Sequence, residues 1–342
     1  MNESEASADP SGLIDLRDGI YADDLVITAV AWLDLFSWLR GHPCTRQEIS
    51  CELGLSMRPL DVMITLLATM GLVREEEGAV RLTAISEEYL VGGSPHDLRP
   101  FYASQKSRPQ CVQLLEVLKT GEPAVWSSRE EGGEWVALME DEAFASSFTA
   151  AMDSRGAVLA PAMAAGLPCE GYSNLLDIAG GSGIYACHVA EARPGMRTTV
   201  LEKPPVDKAA RAAIAAKGLA GKVDVVGSDM FADPLPTGFD VHLWSHVLHD
   251  WDAPDVRLLL SRSFESLEPG GTIAIHDAHV NAEKNGPLAV ARFSVLLMHS
   301  TRGKCYSTCE LDSMLREAGF KDIGFVPTAC HRSLVLARKP RT

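Results

Sequence analysis

The sequence predicts an α/β fold: a mostly parallel sheet with an antiparallel strand pair at its C-terminal edge, preceded by an all-helical domain. Three observations carry this. From about residue 172, apolar strands alternate with amphipathic helices, the pattern of a parallel βα sheet. From residue 15 to about 165, apolar residues recur at helical spacing instead. The 342 residues are enough for about two domains, and 46% hydrophobic with 23% charged residues is an ordinary globular balance.

The elements follow in order. MNESEASADPSG is acidic and polar, without the basic and apolar regions of a signal peptide, and residues 1–14 read as a disordered tail. In YADDLVITAVAWLDLFSWLRG, residues Leu25, Ala29, Trp32, Leu33 and Phe36 form one helical stripe that stops at Gly41. TRQEISCELGL opens with Thr45 and Glu48, a capping-box pair. The next helix, SMRPLDVMITLLATMGL, has Ser56 as its N-cap. VREEEGAVRLT then reads as two short strands about Gly78. Helix, helix, hairpin is the order of a winged helix. One reading of that unit is DNA recognition; the other is a packing or dimerisation domain that keeps the shape. The second helix carries Arg58 as its only base, and the wing carries Glu75, Glu76 and Glu77, whereas phosphate contacts need the opposite sign.

Past about 172 the strands are NLLDIA, RTTVLE, KVDVVGSD, GFDVHLWS and GTIAIHDA. The intervening helices are GIYACHVAEA, VDKAARAAIAAKG and APDVRLLLSRSFESL. ELDSMLREAGF is a further helix, and KDIGFVPT and SLVLARKP form the antiparallel pair. The chain therefore divides into a tail (1–14), a helical winged domain (15–165) and a sheet domain (166–342).

The bulk properties narrow the function. A net charge of −15 disfavours non-specific binding to nucleic acid or anionic membranes. No apolar run approaches the roughly 20 residues that span a bilayer. The eight cysteines are scattered without a CxxC pair, which reads as reduced thiols in a cytoplasmic protein and not as a zinc site.

The chemistry lies at the strand ends, where open sheets bind ligands. LLDIAGGSGIY places Asp177 at the end of the first strand of the sheet domain, followed by Ala179, Gly180, Gly181 and Gly183. Small residues there let the backbone turn and approach a ligand. Glu202, 25 residues beyond Asp177, ends the second strand and suits the two hydroxyls of a ribose. Asp229 follows the third strand, with Met230 and Phe231 beside it: an acceptor for an adenine amino group flanked by apolar side chains. The loop AGGSG lacks the G-x-G-x-x-G spacing that seats a pyrophosphate. Three acids around the cleft suit S-adenosylmethionine, a cationic cofactor without phosphate.

DIAGGSG, LEKP, GSDMF and VLHDWD, in that order after a helical winged domain, resemble the S-adenosylmethionine-dependent small-molecule O-methyltransferases of the caffeic acid, acetylserotonin and antibiotic-pathway type. The resemblance spans about 15 to 338 and is more specific in the second half. It implies a Rossmann-like class I methyltransferase sheet, a winged-helix domain that serves dimerisation and as a substrate lid, and a homodimer. It also implies a small-molecule acceptor, with no nucleic-acid or membrane partner. Ala179, where a glycine is usual, and Gly180 would line the cofactor, Glu202 would take the ribose, and Asp229 and Met230 the adenine. Ser245 stands where plant members often have a lysine reaching the cofactor. His249 would be the general base and Asp250 would lie near the substrate. Asp277 would orient the base, and a second acid belongs in a GKERT-like stretch that here reads GKCYST, placing Cys305 where a glutamate is expected.

That assignment explains why an apolar strand ends in WSHVLHDWD. Methyl transfer from a sulfonium needs a deprotonated nucleophile, and a phenol of pKa about 10 is mostly protonated at neutral pH. A neutral imidazole with an ordinary pKa of about 6.5 can accept the proton, and an acid behind it fixes the tautomer and stabilises the imidazolium. His246 reads as structural: strand alternation sends it to the face of His242, opposite Ser245.

By the same resemblance the acceptor would meet Phe148, Met152, Asp250, Leu296, His299 and Ser300, with Trp126 a weaker candidate. The expected reaction is O-methylation of an aromatic secondary metabolite. Because Cys305 replaces the second acid, C-methylation of an aromatic or keto-acid carbon is the alternative. A metal held by His249 and His299 is a variant of either, although the assignment includes no metal. A winged-helix regulator sensing a metabolite is the reading from another class.

Overall fold

The computed structural model describes residues 8–124, 142–168 and 170–341, with the backbone alone over 142–149. These residues fall into two compact units. One lies within Met1–Ser11, Ser128–His279 and Thr308–Thr342, the other within Gly12–Ser127 and Val280–Ser307. Helix Glu142–Gly166 belongs to the first and helix Leu288–Ser300 to the second.

The second unit is built of helices and one hairpin. Helix Arg46–Leu53 starts at a complete capping box: Thr45 Oγ1 accepts from the Glu48 N–H, and Glu48 Oε2 accepts from the Thr45 N–H. Helix Met57–Thr69 follows; Ser56 holds its N-cap position, but the side chain makes no capping hydrogen bond. Strands β1 (Val73–Glu76) and β2 (Ala79–Leu82) pair antiparallel about the turn at Gly78. A helix over Ser11–Asp18 begins inside the stretch read as tail.

The stripe expected to run unbroken to Gly41 is two helices, Ala22–Ala31 and Leu35–Leu39, separated where Asp34 takes φ +46°. Aspartate tolerates that left-handed conformation better than most residues. The break turns Trp32 out, at 41% exposure, with its indole N–H on the Lys106 carbonyl at 2.8 Å. The rest of the run packs inside its own unit: Leu25, Ala29, Leu35 and Phe36 are fully buried, joined by Ile49, Leu60, Met63 and Val295. This apolar load needs no partner chain to cover it.

The first unit is a seven-stranded sheet of order β5-β4-β3-β6-β7-β9-β8. Its strands are β3 (Asn174–Ile178), β4 (Arg197–Glu202), β5 (Val223–Gly227), β6 (Val241–Ser245), β7 (Thr272–Asp277), β8 (Lys321–Pro327) and β9 (Ser333–Arg338). β5 through β7 are parallel; β9 runs antiparallel to β7 and β8 antiparallel to β9. This is the class I methyltransferase arrangement. β6 and β7 are buried along their whole length, so both read as apolar runs interrupted by His242, His276 and Asp277. Burial keeps His242 neutral, and its Nδ1 meets Ser263 Oγ at 2.7 Å. The chain reverses between β3 and β6, the switch point at which parallel sheets open a crevice. Among the described residues, no helix is long and apolar enough to cross a membrane.

Candidate active site

The parallel register puts the ends of β3, β4 and β5 side by side, and with them Asp177, Glu202 and Asp229. After β3 the chain turns through Ala179 at φ +54° and Gly181 at φ +60°. Gly180 lies so close that a Cβ would sit 2.6 Å from Asp177 Oδ2 and 3.1 Å from Val200 Cγ1, which no side chain tolerates. Gly183 then caps helix Ile184–Ala192.

Asp177 is fully buried, and neither carboxylate oxygen has a partner in normal hydrogen-bond geometry. Burial pushes its pKa up to about 7; the Ala186 N–H opposes this from beyond good geometry, and Glu202 adds to it. Glu202 is half-buried and accepts from the Gly181 and Lys203 N–H groups, each at 2.8 Å. Burial still outweighs those bonds and raises it to about 7. Asp229 behaves differently. Burial alone would raise it, but the Lys203 ammonium at 2.9 Å and the Phe231 and Ala232 N–H groups hold it below the carboxylate range. Phe231 meets Trp251 edge-on at 4.6 Å, and Met230 beside it is half-buried.

β6 and β7, next in the sheet, supply a titrating cluster. His249 sits in the short turn Leu248–Asp250. Its Nδ1 lies 2.7 Å from Asp277 Oδ1 at the end of β7, and its Nε2 3.6 Å from Asp250 Oδ1. Burial pulls the His249 pKa down, yet the Asp277 and Asp250 carboxylates outweigh it and the net shift is upward. Asp277, which also accepts the Ala278 N–H at 2.8 Å, is held below its usual range by His249 against the burial penalty. This is the arrangement of an imidazole whose proton is positioned by an acid.

His246 does not follow the strand alternation. It leaves β6 with φ +57°, which ends the alternation and swings its ring into the cluster, 5.6 Å from His249, 5.3 Å from His276 and 3.5 Å from Asp277 Oδ1. Burial keeps His246 neutral, helped by Arg155 and His276. Ser245 Oγ meets His276 Nδ1 at 3.0 Å, and Tyr185 packs on the rings of His246 and His276. Sequence reasoning passed over Tyr185, Arg155 and His276 as site residues.

The remaining expected site residues fall in both units. Met152 is half-buried on helix Glu142–Gly166, while Phe148 and Trp126 lie outside the residues whose side chains are described. Leu296, His299 and Ser300 lie on helix Leu288–Ser300 of the other unit. There His299 Nε2 meets Gln113 Oε1 at 3.1 Å and its ring stacks 4.2 Å from Tyr21. Among the described residues, ligand atoms of His246, His249 and Asp277 lie within 4.8 Å of one another. Cys305 is buried in the same unit as His299, its N–H on Ser294 Oγ at 3.1 Å.

An O-methyltransferase domain family matches residues 112–321. A Streptomyces sahachiroi protein named 3-hydroxy-5-methyl-1-naphthoate 3-O-methyltransferase is 30% identical over 317 residues, 92% of this chain and 90% of that protein. L-tyrosine C(3)-methyltransferase of Streptomyces lavendulae is 26% identical, covering 86% of this chain and 82% of its own. Among solved structures, an O-methyltransferase family 2 protein from Planctomyces limnophilus in complex with apigenin superposes with a TM-score of 0.87 at 30% identity, over 98% of this chain and 97% of that one.

Proposed function

The chain belongs to the O-methyltransferase family and is an S-adenosylmethionine-dependent methyltransferase; from that premise we propose that it methylates a hydroxyl of an aromatic small molecule, a secondary metabolite, with His249 as the general base. The observation that carries this reading is the buried His249–Asp277 contact of 2.7 Å beside the acid-lined crevice.

The described residues fit the cofactor. Asp177 is a buried carboxylate lacking a hydrogen bond of normal geometry, Gly180 leaves backbone where any Cβ would clash, and Glu202 is an acceptor at the mouth of the crevice. We assign Asp177, Ala179, Gly180, Gly181 and Ser245 to the methionine side, Glu202 to the ribose, and Asp229, Met230 and Phe231 to the adenine. When bound, S-adenosylmethionine supplies an electrophilic methyl carbon next to a sulfonium. His249 Nε2 takes the proton of the acceptor hydroxyl. Asp277 holds the opposite nitrogen, fixes the tautomer and stabilises the imidazolium. Asp250, 3.6 Å from Nε2, stands at the acceptor end. Phe148, Met152, Leu296, His299 and Ser300 are proposed as acceptor contacts. The naphthoate acceptor named for the Streptomyces sahachiroi relative points to a fused phenolic acid. Calorimetry with S-adenosylhomocysteine and a methyl-transfer screen over hydroxynaphthoates test the reading; absence of nucleoside binding overturns it.

C-methylation is the second reading, favoured by Cys305 at the position of the expected second acid and by the tyrosine C-methylating relative. The attachment atom in the product, read by NMR, separates the two. Metal assistance through His246, His249 and Asp277 is tested by activity after EDTA treatment.

The same reading makes the protein a cytoplasmic homodimer that does not bind nucleic acid. The seven described cysteines are free thiols, and Glu75 to Glu77 give the wing the wrong charge for phosphate. Leu13, Leu16, Ile20 and Phe101 of the helical unit are 52–77% exposed and offer a dimer surface. A monomer mass by light scattering at micromolar concentration refutes the dimer, and salt-sensitive DNA retention in a gel shift revives the regulator.

A further inference from the structure

We propose that His246, His249 and Asp277 form a binding site for a divalent transition-metal ion whose arrival silences the general base, an inference that rests on the reading of His249 above. Their ligand atoms lie within 4.8 Å of one another, and all three side chains are buried. His246 is the residue that points to a ligand. Among the described buried histidines of this unit, His242 meets Ser263, His276 meets Ser245 and Thr328, and His279 meets Ser333, through ring nitrogens at 2.7–3.2 Å. His246 makes no hydrogen bond through either nitrogen, although its side chain is only 1% exposed. Asp277 Oδ1 stands 3.5 Å from its Nδ1, out of hydrogen-bond geometry. Its backbone is also held at φ +57°, a conformation that a Cβ disfavours. A buried imidazole without a partner is unfavourable, and a metal bond to one nitrogen relieves it.

The donor set and the spacing suit such an ion. Imidazole with carboxylate is a ligand set for zinc and its first-row neighbours, whereas magnesium and calcium take oxygen ligands. Bonds of about 2.0–2.2 Å in a tetrahedral shell put ligand atoms about 3.3 Å apart. Asp277 Oδ1 lies 2.7 Å from His249 Nδ1 and 3.5 Å from His246 Nδ1, on either side of that spacing. The Asp277 and Asp250 carboxylates offset the added charge, while Arg155 and Arg332, which also face His246, oppose it. The ion takes the place of the proton on His249 Nδ1. That proton moves to Nε2, so the imidazole stays neutral and no proton leaves the protein. His246 binds through one nitrogen and keeps its proton on the other. Nε2 of His249 then presents an N–H to the acceptor hydroxyl, where proton removal requires a lone pair. The ion therefore turns methyl transfer off, the opposite sign to metal assistance.

The test adds zinc or cobalt(II) to chelator-treated wild-type protein and to His246→Asn, because asparagine tolerates the left-handed turn but removes a ligand. Zinc lowers methyl transfer by the wild-type protein roughly 10²- to 10⁴-fold, the range of a general base. Cobalt(II) in the site gives visible d–d absorption, a readout that needs no acceptor. His246→Asn keeps methyl transfer near the wild-type rate, escapes zinc inhibition and shows no such absorption, and magnesium affects neither protein. Calorimetry with S-adenosylhomocysteine checks that the variant is folded, and His246→Gln replaces it if it is not. Equal inhibition of both proteins by zinc, stimulation by zinc, inhibition by magnesium, or cobalt absorption that survives in the variant overturns the proposal. Cobalt absorption that depends on His246, without zinc inhibition, overturns the silencing and refutes His249 as the base. Absence of cobalt binding to the wild-type protein refutes the site and leaves the base assignment standing, a separate result.

Discussion

Asp277→Asn removes one charge while keeping the shape of the side chain that holds His249. In the native protein the carboxylate lies 2.7 Å from His249 Nδ1, and both groups are buried. A hydrogen bond to a charged group contributes about 1.5–3 kcal/mol. If it is fully formed only when His249 carries the proton, kcat/KM on its pH plateau falls about 10- to 150-fold, at 1.36 kcal/mol per tenfold. The pH profile moves independently. Native His249 is raised, because Asp277 and Asp250 outweigh burial. Without Asp277, burial is opposed by Asp250 alone, so the acid limb of kcat/KM shifts to lower pH. Stability follows the same linkage. The raised histidine contributes stability below its unfolded pKa that is lost as pH rises through the folded value. The depressed carboxylate contributes stability above its unfolded pKa that is lost as pH falls through the folded value. The variant's deficit is therefore greatest between about pH 4 and 6.5 and narrows on either side. Steady-state kinetics across pH, with S-adenosylhomocysteine affinity as the check on folding, measure both effects. An acid limb that stays in place, or a plateau within threefold of wild type, refutes Asp277 as the partner of a catalytic imidazole.

Gly180→Ala places a methyl group 2.6 Å from the buried Asp177 Oδ2 and 3.1 Å from Val200 Cγ1, so it should destabilise by roughly 1–3 kcal/mol and weaken S-adenosylhomocysteine binding; wild-type calorimetry in the variant refutes the close approach. Ala179→Gly relieves a left-handed residue at φ +54°, and after the entropy cost of glycine it should raise stability by up to about 1 kcal/mol in urea unfolding. A clear loss there would mean that Ala179 is not strained. His242 is held neutral by burial, with its pKa down to about 3, so its contribution is lost below its unfolded pKa of about 6.5 at about 1.4 kcal/mol per pH unit. The stability gap between wild type and His242→Gln should therefore shrink as pH falls from about 6.5 to 5, and a constant gap would mean that the ring titrates freely in the folded protein.

The sequence by itself determined what depends on local order. Strand–helix alternation, the Thr45–Glu48 cap, the small residues after Asp177 and the acids closing three strands are all read along the chain, because backbone geometry and strand ends are set by near neighbours. The family resemblance added His249 and Asp277 as partners, which no spacing reveals, since 28 residues separate them. Tertiary structure decided the rest. A left-handed turn at His246 overrode the alternation that placed it away from the site. A similar turn at Asp34 split one predicted helix and exposed Trp32. The helical run from residue 22 to 39 is buried in a core to which helix Leu288–Ser300, far along the chain, contributes Ala291, Val295 and Met298. Arg155 lies outside every motif, because an arginine on an exposed-looking helical turn has no sequence signature. Whether its charge is solvated or left facing a cluster of histidines is settled only when helix Glu142–Gly166 packs against the glycine loop.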